Sequence, residues 1–328
     1  MKNMIDGVFV VTGACGFIGS CLIHRLNDCG LNNVVAVDVF DEPEKLKNIQ
    51  ECDIAERINK NVFFDWLDDN QERVKLIVHL GAISATTEFN EELLKTDNTD
   101  YTKTVWKKCS KYNIPLIYAS SAATYGDGSL GYSDLNDVLI YELKPLNPYG
   151  VSKNEFDKWC LQQEDKPPFW YGLKFFNVYG PHENHKHKMA SVVYHAYNQI
   201  LTSGKLGLFK SYRKDFADGH QLRDFVFVED VLDVIFFLYE NKPQSGIYNV
   251  GTSKARTFLD LGIAVFAALE MKPCIEFIEM PIEIRDKYQY FTEADITKLR
   301  STGYDKNFTE LEVGVKKYID YLKRYSTT

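Results

Sequence analysis

A short apolar run, Gly7 to Thr12 (GVFVVT), passes directly into Thr12-Gly13-Ala14-Cys15-Gly16-Phe17-Ile18-Gly19, where helical periodicity begins. No other stretch constrains the fold so tightly. The glycines at 13, 16 and 19 do separate jobs. One permits a tight turn, one lets backbone N–H groups approach an anion, and one lets helix and strand pack closely. A helix opening at such a turn offers unpaired N–H groups and partial positive charge, which suits a diphosphate. The same turn also serves a close strand–helix contact without any ligand.

The pattern around this turn repeats. Phe17 to Cys29 reads as a helix closed by Gly30, Val34 to Val39 and Lys75 to Leu80 as strands, and Glu91 to Lys111 as a helix. Ile114 to Ala119 is then a strand, a helix runs from Tyr149 to about Glu164, and Trp170 to Phe176 returns as a strand. Unbroken Val/Ile runs alternating with helices predict a doubly wound parallel α/β sheet, whose strands are buried on both faces. Downstream the pattern loosens: helices at 189–201, 231–240, 257–270 and 309–325, strands at 225–228, 246–250 and near 275–278. This predicts a dinucleotide-binding domain over 1–176, to which 223–251 returns. A smaller interwoven substrate lobe takes 177–222 and 252–328.

Composition narrows the function classes. Acidic residues exceed basic ones, 46 to 38, for a net charge of −8, so a nucleic-acid partner is not expected. No apolar run approaches the length of a membrane span, and the N-terminus lacks a signal peptide's pattern, so neither membrane association nor export is expected. The seven cysteines include no C-x-x-C pair, which predicts reduced thiols in a cytoplasmic protein. His182, His185 and His187 share one loop but lack a conventional ligand set, so no metal is expected.

Asp38 closes the second strand, where an acidic residue accepts hydrogen bonds from an adenine ribose and favours NAD. Lys45 and Lys60 follow and suit a 2′-phosphate, so the residues alone leave NAD and NADP both open. The strand ending at Ala119 delivers Ser120 and Ser121 to the sheet's carboxyl edge, where ligands bind in such folds. Tyr149 and Lys153, at i and i+4, share one face of the next helix. A phenol with a pKa of about 10 is a poor base at neutral pH. A neighbouring ammonium and a cationic nicotinamide favour its phenolate. Tyr149 would then accept a hydroxyl proton while hydride leaves to the dinucleotide, with Ser121 orienting the same oxygen.

On the glycine loop, Leu80-Gly81-Ala82, Asn98, Ser120-Ser121-Ala122, Tyr149/Lys153 and Arg223-Asp224-Phe225-Val226, the chain resembles the extended short-chain dehydrogenase/reductases, which implies a Rossmann fold. Within that family, four segments resemble the ADP-L-glycero-D-manno-heptose 6-epimerase branch. They are Ser120 to Gly126, Glu183-x-His185-Lys186-x-x-Met189-Ala190-Ser191, Tyr288-Gln289-x-Phe291-Thr292-x-Ala294-Asp295 and Gly303-Tyr304-Asp305. The resemblance implies NADP-dependent inversion at C6 of an ADP-heptose for lipopolysaccharide core, through a 6-keto sugar, in a homo-oligomer such as a pentamer. It implies Tyr149 and Lys186 as the two bases, with Lys153 and Ser121 assisting. Gly13, Gly16, Phe17, Ile18, Gly19, Asp38, Val39, Lys45, Lys60, Leu80, Gly81, Ala82, Ser84, Asn98, Lys153, Val178 and Lys186 match cofactor positions. Asn177, Lys188, His195, Phe209, Ser211, Arg223 and Tyr288 match substrate positions. The chain departs from the branch at Cys15, at Val39 after Asp38, at Lys188, and in a longer segment over 210–222. A 4-epimerase of the same family is the nearest alternative, and a non-catalytic dinucleotide sensor a more distant one.

Overall fold

The computed structural model describes residues 7–285 and 288–325. The first half runs β1 (Val8–Thr12), α1 (Phe17–Asp28), β2 (Val34–Asp38), α2 (Pro43–Lys47), β3 (Glu56–Asn59), α3 (Phe63–Asn70) and β4 (Val74–His79). Next come α4 (Glu91–Leu94), α5 (Tyr101–Lys111), β5 (Leu116–Ser121), α6 (Pro148–Leu161) and β6 (Trp170–Phe175). The second half supplies β7 (Asn177–Tyr179), α7 (Val192–Ser203), β8 (Leu206–Phe209), β9 (Leu222–Arg223), β10 (Phe225–Phe227), α8 (Val228–Asn241) and β11 (Gly246–Val250). It closes with β12 (Arg256–Thr257), α9 (Phe258–Ala268), β13 (Ile275–Ile278), α10 (Ile282–Arg285), α11 (Thr297–Ser301) and α12 (Leu311–Tyr325).

Seven strands form one parallel sheet in the order β11-β6-β5-β4-β1-β2-β3. Chain order reverses direction beside β1, so the crevice at the carboxyl ends of β1, β4 and β5 is the ligand-binding edge of the doubly wound architecture. All five β1 residues are buried, as their unbroken apolar run requires. Outside this sheet, β7 pairs with β10, β8 with β13 and β9 with β12, each as a two-stranded ladder. One apolar core runs from Val11 and Leu22 through Val231 and Val265 to Val315 and Ile319, linking sheet, α8, α9 and α12. A second, under the other face, gathers Val10, Phe63, Trp106, Tyr118 and Phe156.

The observed elements depart from expectation at informative places. β5 continues to Ser121, beyond Ala119, because Ser120 and Ser121 still pair with Lys174 and Phe175 of β6. The expected helix at 189–201 begins only at Val192, where Ser191 caps it; residues 184–189 form a tight 3-10 turn. The helix expected over 91–111 is interrupted by a widened π turn at Lys95–Asp100 between α4 and α5. The segment α2–β3–α3 gives no signal in sequence: β3 is an edge strand, ERIN, with no fully buried residue. Among the described residues, no helix is long and apolar enough to cross a membrane.

Candidate active site

The turn from β1 into α1 is built on close backbone approach. Gly13 sits at φ +64, and a Cβ there would lie 2.7 Å from the Gly81 nitrogen. A Cβ on Gly19 would run into the Gly13 carbonyl. Gly16 is the N-cap of α1, so no side chain caps the helix, and its first turn holds no acid. The first N–H groups of α1 are thereby left for a ligand, and Gly16, Phe17 and Ile18 line a cavity of about 770 Å³. These observations fit a dinucleotide diphosphate.

Opposite this turn, buried hydrogen bonds fix the loop after β4. The Thr12 Oγ1–His79 Nδ1 distance is 2.6 Å, and Gly81 N–H donates to Thr12 Oγ1 at 3.1 Å. Burial, reinforced by Lys153, pushes the His79 pKa down to about 3, so the ring is neutral. Leu80, Gly81, Ala82 and Ser84 line the cavity. Asn98 does not. From the π turn its side chain accepts from Ile83 N–H at 2.8 Å and donates to Ile83 C=O at 3.0 Å and Ser152 Oγ at 3.1 Å. It shapes the cofactor loop from behind rather than facing the cavity. A π turn is a frequent device for re-aiming one residue.

Asp38 reaches the cavity from the end of β2, where its carboxylate accepts from Cys15 N–H at 2.9 Å and Val39 N–H at 2.8 Å. Burial and then Asp38 push the Cys15 thiol up to about 12, so it stays protonated at neutral pH. Lys45 and Lys60 line the same end, paired with Glu42 at 2.7 Å and Asp97 at 2.8 Å. Val39 lines the cavity next to Asp38, and Val178 of β7 lines it as well.

Ser121, Tyr149 and Lys153 meet on the cavity wall. Asn147 caps α6 by accepting from Gly150 N–H at 2.8 Å, and Pro148 holds its first turn. A Cβ on Gly150 would lie 2.8 Å from the Ala123 carbonyl, so glycine lets the helix approach the Ala122–Tyr125 turn. That approach brings Tyr149 into hydrogen-bond contact with the Ser121 side chain, which favours the phenolate; burial acts more strongly and raises the phenol pKa. Lys153 donates to Ala119 C=O at 2.9 Å, and burial, opposed by Asp157, lowers it to about 8. The raised pKa keeps the phenol neutral at physiological pH, and a cationic nicotinamide ring held in this cavity would favour its phenolate.

Lys186 lines the same cavity, its Nζ 5.5 Å from the Phe17 ring centroid. Burial lowers its pKa and Glu183 opposes the shift. Glu183 is buried and holds Ser191, the residue that caps α7, accepting from Ser191 N–H at 2.6 Å and Ser191 Oγ at 2.5 Å. The next residue, His187, has φ +46, in the left-handed region. The three loop histidines part company. His182 packs against His24 and Tyr321, His185 contacts Asn48 at 3.1 Å, and His187 lies 3.7 Å from Glu44.

The expected substrate residues divide into groups. Asn177 lines the cavity beside Phe225 and Phe258. Behind Phe258, buried Arg223 lies 5.5 Å from its ring centroid and 5.2 Å from that of Tyr288, which is 6.3 Å from Phe209. Arg223 faces aromatic rings and has no carboxylate in ion-pair range among the described residues. Asp224 anchors this group, accepting from Thr252 N–H at 2.7 Å, Ser253 N–H at 3.0 Å and Ala294 N–H at 3.0 Å. Ser211 opens the long 210–222 segment, its N–H bonded to Asp218 at 2.7 Å, while Phe216 and Arg213 pack on Tyr290. Of the expected substrate residues only Asn177 lines the cavity: Phe209, Ser211, Arg223 and Tyr288 stand outside its lining, as do the exposed Lys188 and His195.

A parallel sheet whose carboxyl edge carries a glycine turn and a Ser–Tyr–Lys group defines the short-chain dehydrogenase/reductase class. The family model described as NAD dependent epimerase/dehydratase matches residues 9–251, and the chain belongs to that family. It is 46% identical over 327 residues to an ADP-L-glycero-D-manno-heptose-6-epimerase of Fusobacterium nucleatum, covering 97% of this chain and 98% of the relative. The enzyme of the same name from Nitratidesulfovibrio vulgaris is 45% identical over 314 residues, covering 95% and 97%. The solved Helicobacter pylori ADP-L-glycero-D-manno-heptose-6-epimerase superposes with a TM-score of 0.80 at 27% identity, covering 98% of each chain. UDP-glucose 4-epimerase from Thermus thermophilus, solved with NAD, shares the fold at a TM-score of 0.76 and 23% identity, covering 96% and 99%.

Proposed function

We propose that this chain inverts C6 of ADP-D-glycero-β-D-manno-heptose to the L-glycero epimer through a 6-keto sugar, providing heptose for lipopolysaccharide core. The observation that carries the reading is the Ser121–Tyr149–Lys153 group on the wall of the cavity that the glycine turn opens. Identities above 40% over almost the whole chain to enzymes of this name support the choice of sugar. A bound nicotinamide dinucleotide supplies the hydride acceptor and donor.

The residues divide the remaining work. Tyr149 takes the C6 hydroxyl proton, Ser121 orients that oxygen, and Lys153 stabilises the phenolate. Lys186, held on the 184–189 turn, moves the proton in the half-reaction on the other sugar face. Its lowered pKa, caused by burial, suits proton exchange better than an exposed lysine's would. Arg223 holds diphosphate charge, with Tyr288 and Phe209 beside the ADP end. In this reading 177–222 and 252–328 serve as the substrate lobe. NADP is the dinucleotide this reading favours: Lys45 and Lys60, paired with Glu42 and Asp97, would hold its 2′-phosphate, and Asp38 leaves NAD as the alternative. Action in the cytoplasm as a homo-oligomer, such as a pentamer, belongs to the same reading.

Incubation with the D-glycero substrate in heavy water tests the function. The expected product is the L-glycero epimer with no deuterium at C6, and Tyr149→Phe abolishes its formation. Deuterium at C6 would reject hydride transfer in favour of carbanion chemistry. Mass spectrometry of the nucleotide released on denaturation reads NADP against NAD, and sedimentation reads the assembly.

A further inference from the structure

Beneath the Ser121–Tyr149–Lys153 group lies a second charged pair that the proposed chemistry does not use. Asp157 follows Lys153 by one helical turn on α6, and Lys174 stands opposite Ser120 in the β5–β6 ladder. Both side chains are fully buried, with Nζ 2.7 Å from Oδ2. Their other polar contacts run mainly to the strand and turn that carry Ser121. Asp157 accepts from Ser120 Oγ at 2.6 Å and from the Tyr118 hydroxyl at 3.0 Å. Lys174 donates to Thr124 Oγ1 at 2.6 Å, and Thr124 Oγ1 donates to the Ser121 carbonyl at 2.8 Å.

A buried ion pair is a poor way to stabilise a fold, because desolvation offsets most of its attraction and apolar residues of similar volume often do as well. What this pair provides instead is a rigid link. Asp157 rides on the helix that carries Tyr149 and Lys153, so its bonds to β5 and β6 fix the height of α6 against Ser121. Charge matters too. Asp157 disfavours the Tyr149 phenolate and favours the Lys153 ammonium. Among the described residues, the other ionisable groups facing the pair are Tyr118 from β5, Cys160 from α6, and Tyr125, whose ring centroid lies 5.1 Å from Lys174 Nζ. Farther out, Lys166 acts on Cys160, Asp134 on Tyr125, and Lys153 on His79 of β4. Lys174 is thus the cation in contact with Asp157.

We propose that Asp157 and Lys174 are a positioning pair for the proton-transferring phenol: together they hold Ser121 against Tyr149, and Lys174 offsets part of the negative field that Asp157 would otherwise place on the phenolate. The inference rests on the assignment of Tyr149 as base.

The test is the pH dependence of kcat/KM for C6 inversion in the intact protein, with thermal unfolding and dinucleotide content recorded for every variant. Asp157→Asn leaves Lys174 uncancelled and moves the acid-limb midpoint down. Lys174→Gln leaves Asp157 uncancelled and moves it up. Each shift is about half a pH unit, roughly threefold in rate on that limb. The double variant returns toward the wild-type midpoint. Thr124→Val keeps both charges but cuts the link to the Ser121 carbonyl, so kcat falls while the midpoint stays. Midpoints that do not move, or that move the same way in both single variants, overturn the proposal; so does an unchanged kcat in Thr124→Val. Should a single variant fail to fold, Lys174→Arg, expected to hold the wild-type midpoint, is compared with Thr124→Val, and a moved midpoint in either refutes the pair. Wild-type rates in Tyr149→Phe would defeat the base assignment itself, a different result from an inactive Tyr149→Phe with unmoved midpoints elsewhere.

Discussion

Replacing Gly13 by alanine adds one methyl group where two loops of the site touch. The backbone at residue 13 is left-handed, φ +64, and an L-residue there costs about 1–2 kcal/mol. The added Cβ would also lie 2.7 Å from Gly81 N, 2.8 Å from Gly81 Cα and 2.9 Å from the Leu80 carbonyl carbon. Neither side yields easily. Gly13 leaves directly from β1, and Gly81 is tied by its N–H to Thr12 Oγ1. Overpacking against such backbone costs about 1–3 kcal/mol, for a total of roughly 2–5 kcal/mol. In a chain of this size that lowers Tm by roughly 3–7 °C. Because both loops border the cofactor cavity, the dinucleotide carried through purification falls as well. Gly30→Ala is the control: Gly30 has φ +74, but a methyl group added there would find no atom within 4 Å. It should cost only the conformational share, about 1–2 kcal/mol, and leave dinucleotide content unchanged. Differential scanning calorimetry and absorbance of the released nucleotide read both effects. A Gly13→Ala protein with the Tm and nucleotide content of Gly30→Ala would refute the close-approach argument.

Three more predictions concern titration and the proposed bases and ligand contacts. His79 has a folded pKa of about 3, against about 6.5 unfolded, so the unfolded chain takes up its proton first on acidification. The neutral ring's contribution is full above pH 6.5 and declines below it. Wild type should lose about 2 kcal/mol between pH 7 and pH 5 relative to His79→Asn, read by urea unfolding at each pH; parallel pH profiles would contradict the buried neutral ring. Lys186→Met should cut epimerisation by about 10²- to 10⁴-fold while the dinucleotide stays bound, and stopped-flow or end-point rates near wild type would remove Lys186 from proton transfer. Arg223→Met should raise KM by roughly 10- to 100-fold with a smaller effect on kcat, the mark of a lost charge-assisted contact to diphosphate; an unchanged KM would move the ADP end elsewhere.

What the sequence discloses follows from how local each feature is. β1 and the glycine turn are legible because one contiguous segment contains both the buried strand and the helix start. Tyr149 and Lys153 are legible because one helical turn joins them. Ser121 is legible as a strand-end residue, although β5 runs further than its apolar stretch suggests. Features assembled from distant segments leave little trace. Lys174 in β6 reads as an ordinary polar residue, and only the β5–β6 register sets it opposite Ser120 and within reach of Asp157. Asn98 carries a family motif, yet its indirect role depends on the π turn, which the helical periodicity of 91–111 conceals. β3 escapes notice because an edge strand needs no unbroken apolar run. Arg223, Phe258 and Tyr288 converge from β9, α9 and a loop, and no spacing rule brings them together.

The core that threads from Val11 through Val231 and Val265 to Ile319 has a consequence for anyone who would recombine this enzyme. The region after residue 251 is welded to the sheet through shared hydrocarbon and is no detachable module. A truncation there would strip α9 and α12 out of that shared core and expose its remaining apolar side chains to water. Exchanging sugar specificity by transplanting that region from a sister enzyme would therefore fail unless the matching side chains of α1 and α8 travelled with it.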